Sequence, residues 1–337
     1  MGRVDRAHGE RADAVTRPLV TCGITSYNAS ATIERAVHSV FAQTWQPIEV
    51  IVVDDCSSDA TSAVLCRLQA EIPDLQVLRN GKNLGVAASR NRIIDQARGE
   101  FVAFFDDDDV SAPERIARQV WRIVDYEREF ARGAPVVCHT TRLQVFPDGR
   151  EIIVPTAGQQ ESRQAPFGLD MSRHILLGNF LINGGGGCAT CSQMARLSTY
   201  KDTGGFDPSF RRSEDTEFII RLGRAGAHFV GIGTPLVVQT MTHSSEKTLA
   251  EECRHTLMYL QKHRDLFESN SQLSFCCRWI TSKYALLSGR LGWPLFGFAS
   301  LVLRHPVFFM RRFLLSWEHA AHNRSLRRFH NVSSTQS

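Results

Sequence analysis

A parallel, doubly wound α/β sheet with helices on both faces is the fold class this sequence predicts. Three observations predict it. Strand-like and helix-like segments alternate from residue 19 to residue 124. The strand-like segments are four to seven residues long and mostly apolar, and Phe101 to Phe105 is continuously so, as a strand buried on both faces requires. Polar residues follow directly on three of them, and ligands in open α/β sheets bind outside the carboxyl ends of strands.

The elements follow in order. Leu19 to Thr25 (LVTCGIT) is β-prone, and Thr25, Ser26 and Tyr27 stand at its end. Ala31 to Ala42 places Ile33, Val37, Val40 and Phe41 at helical spacing. Ile48 to Val53 (IEVIVV) is a β-branched strand ending at Asp54 and Asp55. Asp59 to Ala70 reads as a helix with Ser58 or Asp59 as N-cap. Leu75 to Leu78 is a short strand, and Val86 to Ala97 a helix that Gly99 closes. Phe101 to Phe105 is a strand buried on both faces, and Pro113 to Val124 a helix with proline in its first turn. Beyond Val124 the alternation weakens. Val136 to Cys138 and Ile152 to Val154 read as strands, Asn183 to Gly187 as a flexible loop, and Ser213 to Ala225 as a helix capped by Ser213. From Glu246 onward the pattern is helical.

Four carboxylates, Asp106 to Asp109, follow the buried run FVAFF. They fall within about 10 Å of extended chain. Two of them ~6 Å apart repel by roughly 3 kcal/mol at an effective dielectric near 20. A bound cation or partial protonation relieves that repulsion. Hard divalent ions such as Mg²⁺ or Mn²⁺ prefer such oxygens and take one or two carboxylates plus substrate phosphates. An EF-hand does not fit, because its sixth and twelfth positions would be Ser111 and Ala117. A helix cap would use only one of the four. No Walker loop and no G-x-G-x-x-G follows the first strand, so a nucleotide here would be held by a metal at its phosphates and by carboxylates elsewhere. Asp55 is either an acceptor for base or ribose donors or an Asx-turn residue in DDCSSD.

The chain has 337 residues and a net charge of +4. From Ser271 onward nine Lys or Arg face a single acid, Glu318, so an acidic body carries a basic, aromatic tail. Nine scattered cysteines read as reduced thiols, and the lone Cys188–Cys191 C-x-x-C lacks the second pair a zinc site wants. Residues 1–17 read as a flexible leader with neither the apolar core of a signal peptide nor the Ser or Thr at position 6 of a myristoylation signal. The run WPLFGFASLVL is too short to span a bilayer, and with the arginines after it reads either as an interfacial helix on anionic lipid or as a core-packing helix. No RNA or DNA module is present, so nucleic acid is not expected as a partner.

The ordered motifs resemble the family 2 glycosyltransferases of the GT-A fold. They are Thr25-Ser26-Tyr27-Asn28, Val53 to Asp59, Asn83 to Asn91, Gly99-Glu100, Phe105 to Asp109 with Pro113 and Arg115, then Gly204 to Asp207, Glu214-Asp215 and Arg221-Leu222. The family often has glycine where Cys56 stands. The resemblance implies an inverting transfer of a sugar from a nucleotide-diphosphate donor, a UDP-sugar first, to an acceptor hydroxyl; the basic, aromatic tail alone points to a glycan or lipid-linked acceptor. It implies that Asp106 and Asp108 form the D-x-D metal motif with Mg²⁺ or Mn²⁺, and that His243 lies near the metal or is a plain surface histidine. Thr25, Tyr27, Asp55, Arg90, Asp106 and Asp107 would bind the nucleotide-sugar, with Asp55 reading the base and Arg90 either facing the diphosphate or simply covering the sheet. Asp215 would be the catalytic base, and the dipole at its helix N-terminus would favour the ionised form. Glu214 would orient the acceptor. The implied organisation is a GT-A domain over 18–245, with a nucleotide half (18–125) and an acceptor half (126–245), and a helical extension over 246–330. Processive synthases carry Q-x-x-R-W, but Phe275 stands where Arg278-Trp279 would need glutamine, so single-sugar addition is expected. The implied location is cytoplasmic, peripheral on the inner membrane face. A sugar-phosphate nucleotidyltransferase is the first rival reading, although its glycine-rich basic loop is missing. A non-catalytic nucleotide-sugar binder is the second.

Overall fold

A computed structural model describes residues 17–184, 186–241, 248–290 and 292–318. The first half follows the sequence pattern closely. Strands β1 (Val20–Ser26), β2 (Ile48–Asp54), β3 (Leu75–Arg79) and β4 (Phe101–Asp106) alternate with helices α1 (Ile33–Phe41), α2 (Thr61–Glu71) and α3 (Val86–Gln96). All of their pairings are parallel, in the order β3-β2-β1-β4. Ser26 lies opposite Asp54, and Thr25 opposite Asp106, so the three polar strand ends share one rim.

Strand β4 is apolar without alternation because both of its faces are covered. Phe101, Ala103 and Phe105 pack with Val37, Val40 and Ile116 on one side. Val102 and Phe104 pack with Ile93, Tyr200 and Phe218 on the other. Each of the Val, Ile and Phe side chains among them contributes about 1.5–3 kcal/mol on burial.

The second half changes hand. After β5 (Val110–Ser111), α4 (Arg115–Tyr126), β6 (Val136–Val145), β7 (Glu151–Val154) and α5 (Gly168–Leu177) come β8 (Met194–Arg196), α6 (Leu197–Asp202), α7 (Glu214–Arg224) and β9 (His228–Thr240). The sheet continues β4-β8-β6-β9-β5, with β7 beside β6. Here β8 runs antiparallel to β4 and β6, while β6 and β9 are parallel. A mixed half thus extends a parallel one.

Helices α8 (Leu249–Lys262), α9 (Asn270–Leu287), α10 (Gly292–Arg304) and α11 (Pro306–Glu318) follow. Their core, around Phe275, Trp279 and Leu301, meets Leu176 of α5 and Ile220 of α7. Glu217, fully buried on α7, pairs with Arg221 at 2.9 Å and with Lys262 of α8 at 2.6 Å, which locks the extension onto the sheet domain.

Three local expectations change. Gly99 does not close α3, whose chain is already extended at Ala97. Glycine is needed at 99 because a Cβ there would stand 2.5 Å from the Thr21 amide nitrogen. Ser213 makes no side-chain cap for α7; its backbone is left-handed, at φ 58°. Neither Ser58 nor Asp59 is the N-cap of α2, which is Ala60 with no side-chain cap; Asp59 instead shapes the turn before it, accepting from the Thr61 amide at 3.0 Å and the Ser30 amide at 3.1 Å.

Candidate active site

The rim begins with the carboxylates after β2. Asp54 makes the Asx-type turn, accepting from the Ser57 amide at 3.0 Å and its hydroxyl at 2.5 Å. Asp55 has a different task. It is buried, and accepts from the Asn80 side chain (2.7 Å), the Leu84 amide (2.9 Å) and the Gly85 amide (2.7 Å). It thereby pins the loop before α3 to the strand end. Between the two turns, Cys56 sits at φ 64°, a left-handed conformation that favours glycine.

Beside them the acidic turn folds back on β1. The Tyr27 amide donates to Asp107 Oδ2 at 2.9 Å, while the Tyr27 ring is exposed and Thr25 is buried. Burial, and then the neighbouring Asp108 charge, push the Asp107 carboxyl up to about 7. Asp109 is buried and raised well above the usual range by burial and by the Asp106 and Asp108 charges. Its Oδ1 accepts from the Thr240 amide at 3.1 Å, and its Oδ2 has no hydrogen-bond partner among the described residues. Arg35 donates to the Asp108 carbonyl at 2.6 Å and to the Thr240 hydroxyl at 2.8 Å, so the end of β9 is tied to the turn.

Arg90 joins the two halves of the molecule. It is buried on α3, donates to Glu214 Oε1 at 2.7 Å and approaches Asp106 Oδ1 at 3.3 Å. Its guanidinium lies over Phe206 and Phe104, at 5.4 and 5.9 Å from the ring centres. Although burial works against its charge, Glu214, Asp106 and Asp215 hold its pKa above the ordinary value. Glu214 is raised, by burial first and then by Asp215, with Arg90 opposing. One guanidinium therefore faces three carboxylates. Asp215, half-buried in the first turn of α7, accepts from the Thr216 amide at 2.6 Å.

Strand register and hydrogen bonds bring Thr25, Tyr27, Asp106 and Asp107 together, Arg90 links Asp106 to Glu214 beside Asp215, Asp55 stands at the neighbouring end of β2, and His243 lies outside the described residues. Sequence reading treated Cys191 as a plain thiol. The structure places its sulfur with carboxylate oxygens of Asp106 and Asp109, all within 4.8 Å of one another. Burial, and then those two aspartates, raise the thiol well above its usual range, so it stays protonated and is a poor ligand for a hard ion. The donors that suit Mg²⁺ or Mn²⁺ are carboxylates. The unpartnered Asp109 oxygen and the surplus of negative charge around Arg90 fit a bound cation.

The far wall was also missed by sequence reading. Buried Arg142 and Gln144 of β6 both donate to Gln239 Oε1 of β9, at 2.7 and 2.9 Å. The hydroxyls of Thr140, Thr141 and Thr190 are buried with no hydrogen-bond partner among the described residues. No motif marks these residues, because their juxtaposition comes from the β6–β9 pairing.

Comparison with known proteins bears on this arrangement. The sequence model of glycosyl transferase family 2 matches residues 21–183. The succinoglycan biosynthesis protein ExoO of Rhizobium meliloti is 38% identical over 137 residues, which is 40% of this chain and 36% of that protein. The putative teichuronic acid biosynthesis glycosyltransferase TuaG of Bacillus subtilis is 38% identical over 104 residues, 31% of this chain and 41% of that protein. The alignments thus span well under half of either relative. Among solved structures, S. aureus TarS 1–349 in complex with UDP-GlcNAc superposes with a TM-score of 0.58 at 19% identity, over 79% of this chain and 72% of that one. The mannosyltransferase PcManGT from Pyrobaculum calidifontis, in complex with GDP-Man and Mn²⁺, gives 0.54 at 16% identity, over 96% and 89%. At such identities these likenesses show the fold, which is GT-A.

Proposed function

Residues 21–183 belong to glycosyl transferase family 2, and from that premise we propose that this chain is a metal-dependent, inverting glycosyltransferase. It moves one sugar from a nucleotide-diphosphate donor, a UDP-sugar first, to the hydroxyl of a glycan or lipid-linked acceptor in cell-surface polysaccharide or glycolipid synthesis. The names of ExoO and TuaG support the process, and the complexes of TarS and PcManGT support the donor class. The observation that carries the reading is the Arg90 bridge from Asp106 to Glu214, which sets the donor rim of β4 against the first turn of α7.

The 18–125 half binds the donor. Asp55 and Thr25 face the nucleoside, with the Tyr27 ring over it. Asp106 and Asp107 address ribose and phosphates, and Arg90 balances the carboxylates around the diphosphate. Asp106 and Asp108, with His243 by the family pattern and Asp109 beside them, would hold Mg²⁺ or Mn²⁺. When bound, that ion supplies Lewis-acid stabilisation of the departing diphosphate. The 126–245 half receives the acceptor. Glu214 orients the acceptor. Asp215 takes the proton of the attacking hydroxyl as its oxygen bonds to the anomeric carbon on the face opposite the leaving group. The bond from that carbon to the phosphate oxygen breaks, and its electron pair leaves with the nucleoside diphosphate. We place the enzyme in the cytoplasm, at the inner membrane face, a compartment that suits its nine free thiols.

Asp215→Asn tests the assignment. Turnover should fall by about 10²-fold or more while donor affinity, read by thermal stabilisation with Mn²⁺ present, stays within a few-fold. Unchanged turnover would remove Asp215 as base, and release of pyrophosphate in place of nucleoside diphosphate would favour a nucleotidyltransferase.

A further inference from the structure

The outward faces of α10 and α11 are apolar where a surface helix is normally polar. Leu295, Phe296, Val302 and Leu303 follow helical spacing on the exposed side of α10, with Phe296 79% and Leu303 84% exposed. Phe298 and Leu301, on the other side of the same helix, pack with Trp279. Val307, Met310 and Leu314 continue the exposed stripe on α11. The core-packing reading therefore describes one face of this segment, while its other face is exposed and apolar.

A second exposed apolar element lies against it. The loop after α5 presents Phe180 and Ile182, the latter 84% exposed. It is fastened to α11, since Arg311 donates to Asn179 Oδ1 at 3.4 Å and the Arg312 guanidinium donates to the Leu176 carbonyl. Along the chain this loop leads through Gly187 to Cys191, beside Asp106 and Asp109.

Charge decides what covers the stripe. From Gly292 to Trp317 there is no Asp or Glu, and Arg304 and Arg311 are exposed at its edges. Residues 319–337 offer only Leu326, Phe329 and Val332 as large apolar side chains, and residues 1–16 only Met1, Val4 and Val15, so neither segment has the composition to cover it. Each helix has 13 residues, about 20 Å, enough to lie in a bilayer interface and too short to cross it.

We propose that α10, α11 and the Phe180–Ile182 loop form one docking face for an anionic lipid bilayer, apolar side chains in the acyl boundary and arginines at the headgroups. Resting on the transferase reading above, the proposal adds that the acceptor is lipid-borne and reaches the cleft along the 179–191 segment.

Sedimentation of the full chain with phosphatidylcholine vesicles, with and without phosphatidylglycerol, tests the docking face without any sugar donor. Binding should require the anionic lipid and weaken with salt. Phe296→Glu with Leu303→Glu should lower vesicle affinity at least tenfold, and Ile182→Glu and Arg304→Gln severalfold each. These positions are exposed, so melting temperatures should be unchanged. Binding that ignores all four changes, or a wild-type chain that stays in solution, would overturn the proposal. So would a chain that self-associates through this face and becomes monomeric in the double variant without ever binding vesicles. Transfer assays separate the two layers. The double variant should keep activity on a soluble acceptor and lose it on a vesicle-embedded one. Lost vesicle binding with intact soluble transfer localises the change to docking, whereas vesicle binding by a wild-type chain that transfers no sugar defeats the transferase reading alone. Equal loss on both acceptors would refute delivery from the membrane.

Discussion

Arg90→Met should be among the most damaging single changes in the protein, and its cost can be worked from the geometry. The guanidinium is buried, 2.7 Å from one Glu214 oxygen and 3.3 Å from one Asp106 oxygen. Two unit charges ~4 Å apart attract by roughly 4 kcal/mol at an effective dielectric near 20. Removing one member of a buried pair typically costs about 3–5 kcal/mol, because the other charge stays uncompensated. The two estimates agree. Glu214→Gln alone should cost less, since Arg90 keeps Asp106 as a partner. In the double variant the stranded carboxylate is gone, so the combined cost should fall below the sum of the single costs by about 2–3 kcal/mol. Urea unfolding of the four proteins, analysed by linear extrapolation, measures each term. Additivity within ~0.5 kcal/mol, or a single-variant cost below ~1 kcal/mol, would show that Arg90 does not couple the two halves.

Three further predictions concern local structure and pH. Cys56→Gly should stabilise the fold by up to ~1 kcal/mol in thermal unfolding, because φ 64° penalises a Cβ by about 1–2 kcal/mol and glycine returns part of that as unfolded-state entropy. Gly99→Ala should destabilise by about 1–3 kcal/mol, since its Cβ would meet backbone atoms of Thr21 and Phe101 at 2.5 and 2.8 Å; an unchanged melting temperature would contradict the close approach. His139 is buried, and burial pushes its pKa down to about 3, so the fold holds it neutral while the unfolded chain protonates it below about 6.5. The unfolded state then binds the extra proton, and stability falls as pH drops from about 6.5 toward 3, by roughly 1.4 kcal/mol per unit. Urea midpoints between about pH 7 and pH 5 should fall less in His139→Gln than in the wild type, and equal slopes would exclude this histidine as a source.

The four strand–helix units, the buried character of Phe101–Phe105 and the acidic turn were all legible in sequence, because each rests on neighbours along the chain. Periodicity reports which faces are covered, and Asp106 to Asp109 are adjacent without any folding. Strand β8 was not legible. Its three residues carry no period, and they form a strand only because β4 and β6 stand on either side. Gly99 shows the same division: sequence reading made it a helix terminator, while its actual constraint is the Thr21 backbone 78 residues away. Asp54 and Asp55 could not be told apart until the Asn80–Gly85 loop lay against one of them. Cys191 beside Asp106, Gln239 under Arg142, and Glu214 on Arg90 across 124 residues are likewise products of the return path of the chain. Residue type and local spacing determined which groups could hold a cation or move a proton. Which of them face one another was decided by long-range pairing and packing, because charge, burial and hydrogen bonding act through space, whereas sequence order constrains distance only over a few residues.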